Sequence, residues 1–112
     1  MFANLIAAIA LAAQAQPYPT LDIPQDPNAL YQVLRTQTLP DGTREIITAR
    51  TGNRGTTFVK RFVWCDRGIH RVMGNGHSIE EMNAARPAWT SSQTDPNTIA
   101  GHIVDYACAQ PS

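Results

Sequence analysis

No apolar run in this 112-residue sequence is long enough to span a bilayer. A transmembrane helix needs ~20 apolar residues to cross the hydrocarbon, whereas the stretch Phe2 to Ala13 is stopped by Gln14, Gln16 and Pro17. Cysteine is scarce. Cys65 and Cys108 stand alone and far apart, without the paired CxxC spacing of a structural zinc site. Lysine occurs once, at Lys60. Its neighbour Arg61 would point to the opposite face of a strand, so the two cations cannot act together on a nucleic acid. There is no GxSxG, and Arg50-Thr51-Gly52-Asn53-Arg54-Gly55 lacks the Gly-Lys-Ser/Thr ending of a phosphate loop. His70, His77 and His102 fit no HExxH or other close-ligand spacing. These absences leave no catalytic set, and they predict a protein that is not an enzyme, binds no metal or cofactor and has no nucleic-acid partner.

The N-terminus carries the first positive signal. No charged side chain appears before Asp22, the run Phe2 to Ala13 is rich in alanine, and Ala13 and Ala15 form an A-x-A cleavage site. Residues 1–15 therefore read as a secretory signal peptide cut after Ala15. The expectation is a soluble periplasmic or secreted protein with no membrane span after cleavage. In an exported chain two cysteines read as one bridge. Joining Cys65 to Cys108 closes a loop worth ~4 kcal/mol in the chain-entropy model.

The formal net charge is zero but unevenly distributed. Arg35 to Arg71 holds most of the bases, and the remainder is acidic, so the strands and helices of the fold can neutralise each other. Residues 16–28 carry Pro17, Pro19, Pro24 and Pro27 and read as an extended, mobile N-terminal arm. The single domain is expected over 29–112.

Within it, Leu30–Leu39, Thr43–Thr51, Thr56–Cys65 and Ile69–Met73 read as strands, separated by Pro40-Asp41-Gly42, Gly52-Asn53-Arg54-Gly55 and Asp66-Arg67-Gly68 turns. Ser78 and Glu81 match a capping box that opens a short helix from Ile79 to about Ala85, which Pro87 stops. Residues 87–94 read as a polar loop. Asp95 as N-cap and Pro96 as first residue open a last helix, on which Ile99, Ile103, Val104, Ala107 and Cys108 make one apolar stripe. The expected fold is α+β: a four-stranded antiparallel meander with the C-terminal helix packed on one face and one disulfide. Val59, Val63 and Cys65 would meet that helix. Phe58, Lys60, Phe62 and Trp64 would lie on the opposite face as a candidate binding surface.

Several short pieces resemble the surface-adhesin protein E family of small exported bacterial domains. They are Phe62-Val63-Trp64-Cys65, the short strand Ile69 to Met73, the loop tryptophan Trp89, Pro96-Asn97-Thr98 and Asp105-Tyr106-Ala107-Cys108. The helix at Ser78–Glu81 is an insertion relative to that pattern. The resemblance implies an antiparallel sheet and a C-terminal helix held by the same cysteine pair. It also implies binding of host matrix or serum proteins at the bacterial surface. The expected function is thus an exported, non-enzymatic, adhesin-like binding module of the bacterial envelope, with a protein or envelope component as partner. A periplasmic inhibitor or immunity-type protein that blocks an enzyme is the alternative.

Overall fold

The computed structural model describes residues 18–111. The expected signal peptide, residues 1–15, lies outside the described residues. Where four strands were expected, the chain forms one six-stranded antiparallel sheet with the strands in sequence order. The strands are β1 (Thr20–Leu21), β2 (Leu30–Thr38), β3 (Arg44–Gly52), β4 (Gly55–Trp64), β5 (Ile69–Gly76) and β6 (Ser92–Gln93). Among the described residues two helices accompany them, α1 (Ile79–Ala84) and α2 (Ile99–Ala109).

Both strands that the sequence reading misses are two residues long, too short to show the alternation that marks a strand. β1 lies between the prolines of the arm. Pro19 needs no N–H to take part, because its carbonyl accepts from the Val33 N–H (2.8 Å). The described part of the arm, residues 18–28, is docked on the domain, with Ile23 buried in the core and Gln25 Nε2 donating to the Asn97 carbonyl (2.9 Å). β6 lies in the polar segment after α1, where Ser92 pairs with His70 and Gln93 with Ile69. β1 and β6 each pair with only two residues of the neighbouring strand.

The turns follow from glycine where the backbone demands it. Gly42 adopts φ 89° to close the β2–β3 hairpin. Two β-bulges interrupt the ladders, between Val33 and Arg35 on β2 and across from Lys60–Arg61 on β5. Each bulge adds local twist.

The core lies between the sheet and α2. Ile46 and Val63 from the sheet meet Ile103, Val104 and Ala107 from the helix, and Ile23, Tyr31 and Val33 complete the cluster. Each fully buried aliphatic side chain contributes about 1.5–3 kcal/mol. Cys65 and Cys108 are bridged, with Cα atoms 5.8 Å apart, which staples the turn after β4 to the last turns of α2.

The start of α2 differs from expectation. Asp95 does not cap it. Its Oδ1 accepts from the Asn97 N–H in a tight local turn (3.0 Å), and Thr98 is the N-cap, its Oγ1 accepting from the Gly101 N–H (3.0 Å). Asp and Asn side chains often close such turns. At the other end, Arg44 Nη1 donates to the carbonyls of Gln110 (2.8 Å) and Ala107 (3.3 Å), placing a cation where helix carbonyls lack partners.

Helix α1 lies on the opposite side of the sheet. Ser78 Oγ accepts from the Glu81 N–H as expected, but the Glu81 carboxylate accepts from the His77 N–H rather than from that of Ser78. Gly74 and Gly76 let α1 approach β5 closely. A Cβ on Gly74 would overlap the Met82 carbonyl oxygen, and one on Gly76 would overlap the Glu81 side chain.

Candidate functional site

Strand β4 presents two different faces. Pairing with β3 sets Val63, Arg61, Val59 and Thr57 in register with Arg44, Ile46, Thr48 and Arg50, on the side that packs against α2. The alternate residues Phe58, Lys60, Phe62 and Trp64 point the other way. All four of these candidate residues are half-buried.

One end of this second face is occupied by α1. Lys60 Nζ donates to Asn83 Oδ1 (2.9 Å), and Gly74 and Gly76, the partners of Lys60 and Phe58, lie against α1. Among the described residues no helix covers the other end. There Phe62 and Trp64 meet edge to face, ring centroids 6.5 Å apart. Glu45, paired across the ladder with Phe62, is buried and ion-paired with the more exposed Arg35. Arg71, also opposite Phe62, donates through Nε to the Ala88 carbonyl (2.8 Å), and the Ala88 N–H donates to the Val72 carbonyl (2.7 Å). These bonds fix the chain immediately before Trp89, whose side chain is 94 % exposed. The sequence places Trp89 in a polar loop over residues 87–94. In the structure Trp89 extends outward from the edge of the aromatic face.

The helix side holds a second feature that the sequence reading passed over. A cavity of about 550 Å³ opens between the sheet and the first turn of α2. Asp26, Tyr31, Arg50 and Arg61 contribute its polar wall. Arg50 grips Asp26 with two bonds (Nε–Oδ2 2.6 Å, Nη2–Oδ1 3.2 Å), and the Tyr31 hydroxyl donates to the same carboxylate (2.8 Å). The Arg50 bonds, followed by that of Tyr31, hold the Asp26 carboxyl below its ordinary 3.8. Burial, reinforced by the Asp26 bond, raises the Tyr31 phenol above 10.0.

Arg61 is placed differently. It is half-buried, its Nε has neither solvent contact nor a hydrogen-bond partner, and no carboxylate pairs with it among the described residues. Burial lowers its affinity for the proton. Its charge also reaches His70, whose pKa is lowered from 6.5 first by burial and then by Arg61. The one available signal was the alternation itself, which sets a lone cation between Val59 and Val63 on the face meant for a helix.

The three histidines do not converge. His70 Nδ1 bonds Thr94 Oγ1 (2.9 Å), His77 Nδ1 lies 3.3 Å from the Thr56 carbonyl, and His102 is on α2. Among the described residues no group of three or more His, Cys, Asp or Glu side chains could hold a metal ion. No described helix is long and apolar enough to cross a membrane. Comparison with family models, with curated proteins and with solved structures found no match to this chain.

Proposed function

We propose that this protein is an exported binding module of the bacterial envelope that engages a protein partner through the open end of its second sheet face. The contact patch consists of Phe62, Trp64 and Trp89, bordered by Arg71 and by the Arg35–Glu45 pair. The observation that carries this reading is Trp89, a large aromatic side chain that is almost wholly exposed on a segment anchored to β5. Tryptophan is enriched among the few side chains that dominate protein–protein affinity. The bonds at Ala88 hold the backbone beside the ring, so little main-chain freedom is lost on binding.

The bordering arginines favour a partner that offers an apolar pocket with an acidic rim. Adhesin-like attachment to matrix or serum proteins agrees with the resemblance of the β4, Trp89 and α2 segments to surface-adhesin protein E. No reacting group is needed for this role, and the reading is of a non-enzyme.

Surface capture tests it. Oxidised protein is immobilised and exposed to matrix proteins, serum proteins and envelope extract, with a Trp89→Ala variant alongside. Saturable capture by the wild type, weakened at least about tenfold in the variant, is the expected result. Equal capture by both proteins, or none by the wild type, contradicts the reading.

A further inference from the structure

Burying an arginine without a partner is costly, because a charge leaves water with nothing to replace its hydration. Arg61 meets part of that cost: it is half-buried, and no carboxylate pairs with it among the described residues. Its Nε is sealed from solvent and unbonded, in a strand position otherwise filled by Val59 and Val63. The cavity beside it supplies what is missing on the other side. Its volume of about 550 Å³ falls within the ~300–1,000 Å³ of small-molecule sites.

The charges around the cavity set the ligand's charge. Arg50 and Asp26 are already joined to each other, and Arg61 is the remaining charged lining residue, so the wall carries one uncompensated positive charge. A single negative charge balances it. A second would face the Asp26 carboxylate. The first turn of α2 adds the positive end of an eleven-residue helix at the same cavity. Val59 on the sheet and Ile99 and Ile103 on the helix add apolar surface, and Thr48, Thr57 and Thr98 complete the lining.

We infer that this cavity is a binding site for a small apolar monocarboxylate, with the carboxylate on Arg61 and the hydrocarbon body against Val59, Ile99 and Ile103. This site is separate from the aromatic patch and lies on the other face of the sheet. Carboxylate matches the planar fork of a guanidinium, and its single charge suits a wall with one uncompensated positive charge.

Calorimetric titration of the oxidised protein with octanoate tests the assignment, using octanamide, acetate and inorganic phosphate as controls. The expected result is saturable octanoate binding. Octanamide and Arg61→Met should each weaken it at least about tenfold, since a charge-assisted bond is lost. Acetate and phosphate should bind more weakly than octanoate because neither fills the apolar wall. Arg61→Met replaces a half-buried cation that has no carboxylate partner among the described residues with an apolar side chain of similar length, so its melting temperature should equal or exceed that of the wild type. That keeps loss of binding distinct from loss of fold. A second readout is the His70 ring, whose NMR titration should move upward when octanoate neutralises Arg61. Absence of octanoate binding overturns the proposal, as does unchanged affinity in Arg61→Met. Acetate or phosphate binding as tightly as octanoate overturns it too.

Discussion

The two faces of the sheet differ in what covers them. On one, an eleven-residue helix meets Ile46 and Val63, receives a cap from Arg44 and is stapled by the Cys65–Cys108 bridge. On the other, a six-residue helix covers the Phe58–Lys60 end and leaves Phe62 and Trp64 half-buried, with Trp89 exposed at the edge. Both faces carry large apolar side chains, so hydrophobicity alone does not separate them. The difference lies in closure. The α2 side has the packed cluster and a covalent tie, and stability should be concentrated there. The α1 side keeps aromatic surface that stability does not require.

The sharpest way to break this comparison is to cut the staple. Replacing Cys65 and Cys108 together by serine should cost about 2–5 kcal/mol, read as a fall in the urea midpoint that matches wild-type protein under reductant. Ile103→Ala should cost a similar ~2–5 kcal/mol, because Ile103 is fully enclosed between helix and sheet. Phe62→Ala, on the half-open face, should cost less than Ile103→Ala in the same assay. The reverse order would show that the second face is the true core. Next in size is Arg44→Met, which withdraws a cation from the last carbonyls of α2 and should cost about 1–2 kcal/mol.

The α2 side also predicts a pH dependence. His70 titrates below 6.5 in the folded protein, so the unfolded chain takes up its proton first as acid is added. Its contribution is complete above pH 6.5 and is lost as the pH falls below that value. Asp26 titrates below 3.8, so the Asp26–Arg50 contribution is complete above that value and lost in stronger acid. Urea midpoints measured from pH 7.5 downward should therefore decline in two stages, and His70→Gln should remove the first. The smallest expected change is that of Trp89→Ala, within about 0.5 kcal/mol, since the ring buries almost nothing in the free protein.

The same contrast explains what could be read from the sequence. The four long strands and the α2 stripe each span enough residues to display a period, α1 is marked by its capping box, and the two-residue β1 and β6 have neither signal. The strand count expected from the sequence therefore fell short at both edges. The cysteine pairing was legible because the β4 alternation and the α2 stripe brought Cys65 and Cys108 to the same place. The aromatic stripe was legible as a face, but its division by α1 was not, because that depends on Gly74 and Gly76 admitting a helix by close contact. The cavity was not legible either. It depends on the arm folding back so that Asp26 meets Arg50, a contact between residues with no shared pattern.

The division of labour between the faces is tested most directly by an NMR footprint of the captured partner. The chain has two tryptophans, Trp64 and Trp89, both assigned to the binding patch. Their indole N–H signals should shift or broaden as partner is added, together with the amides of Phe62 and Arg71. The amides of Ile103 to Ala107 in α2 should stay in place. A footprint centred on α2, with both indole signals unmoved, would contradict the account.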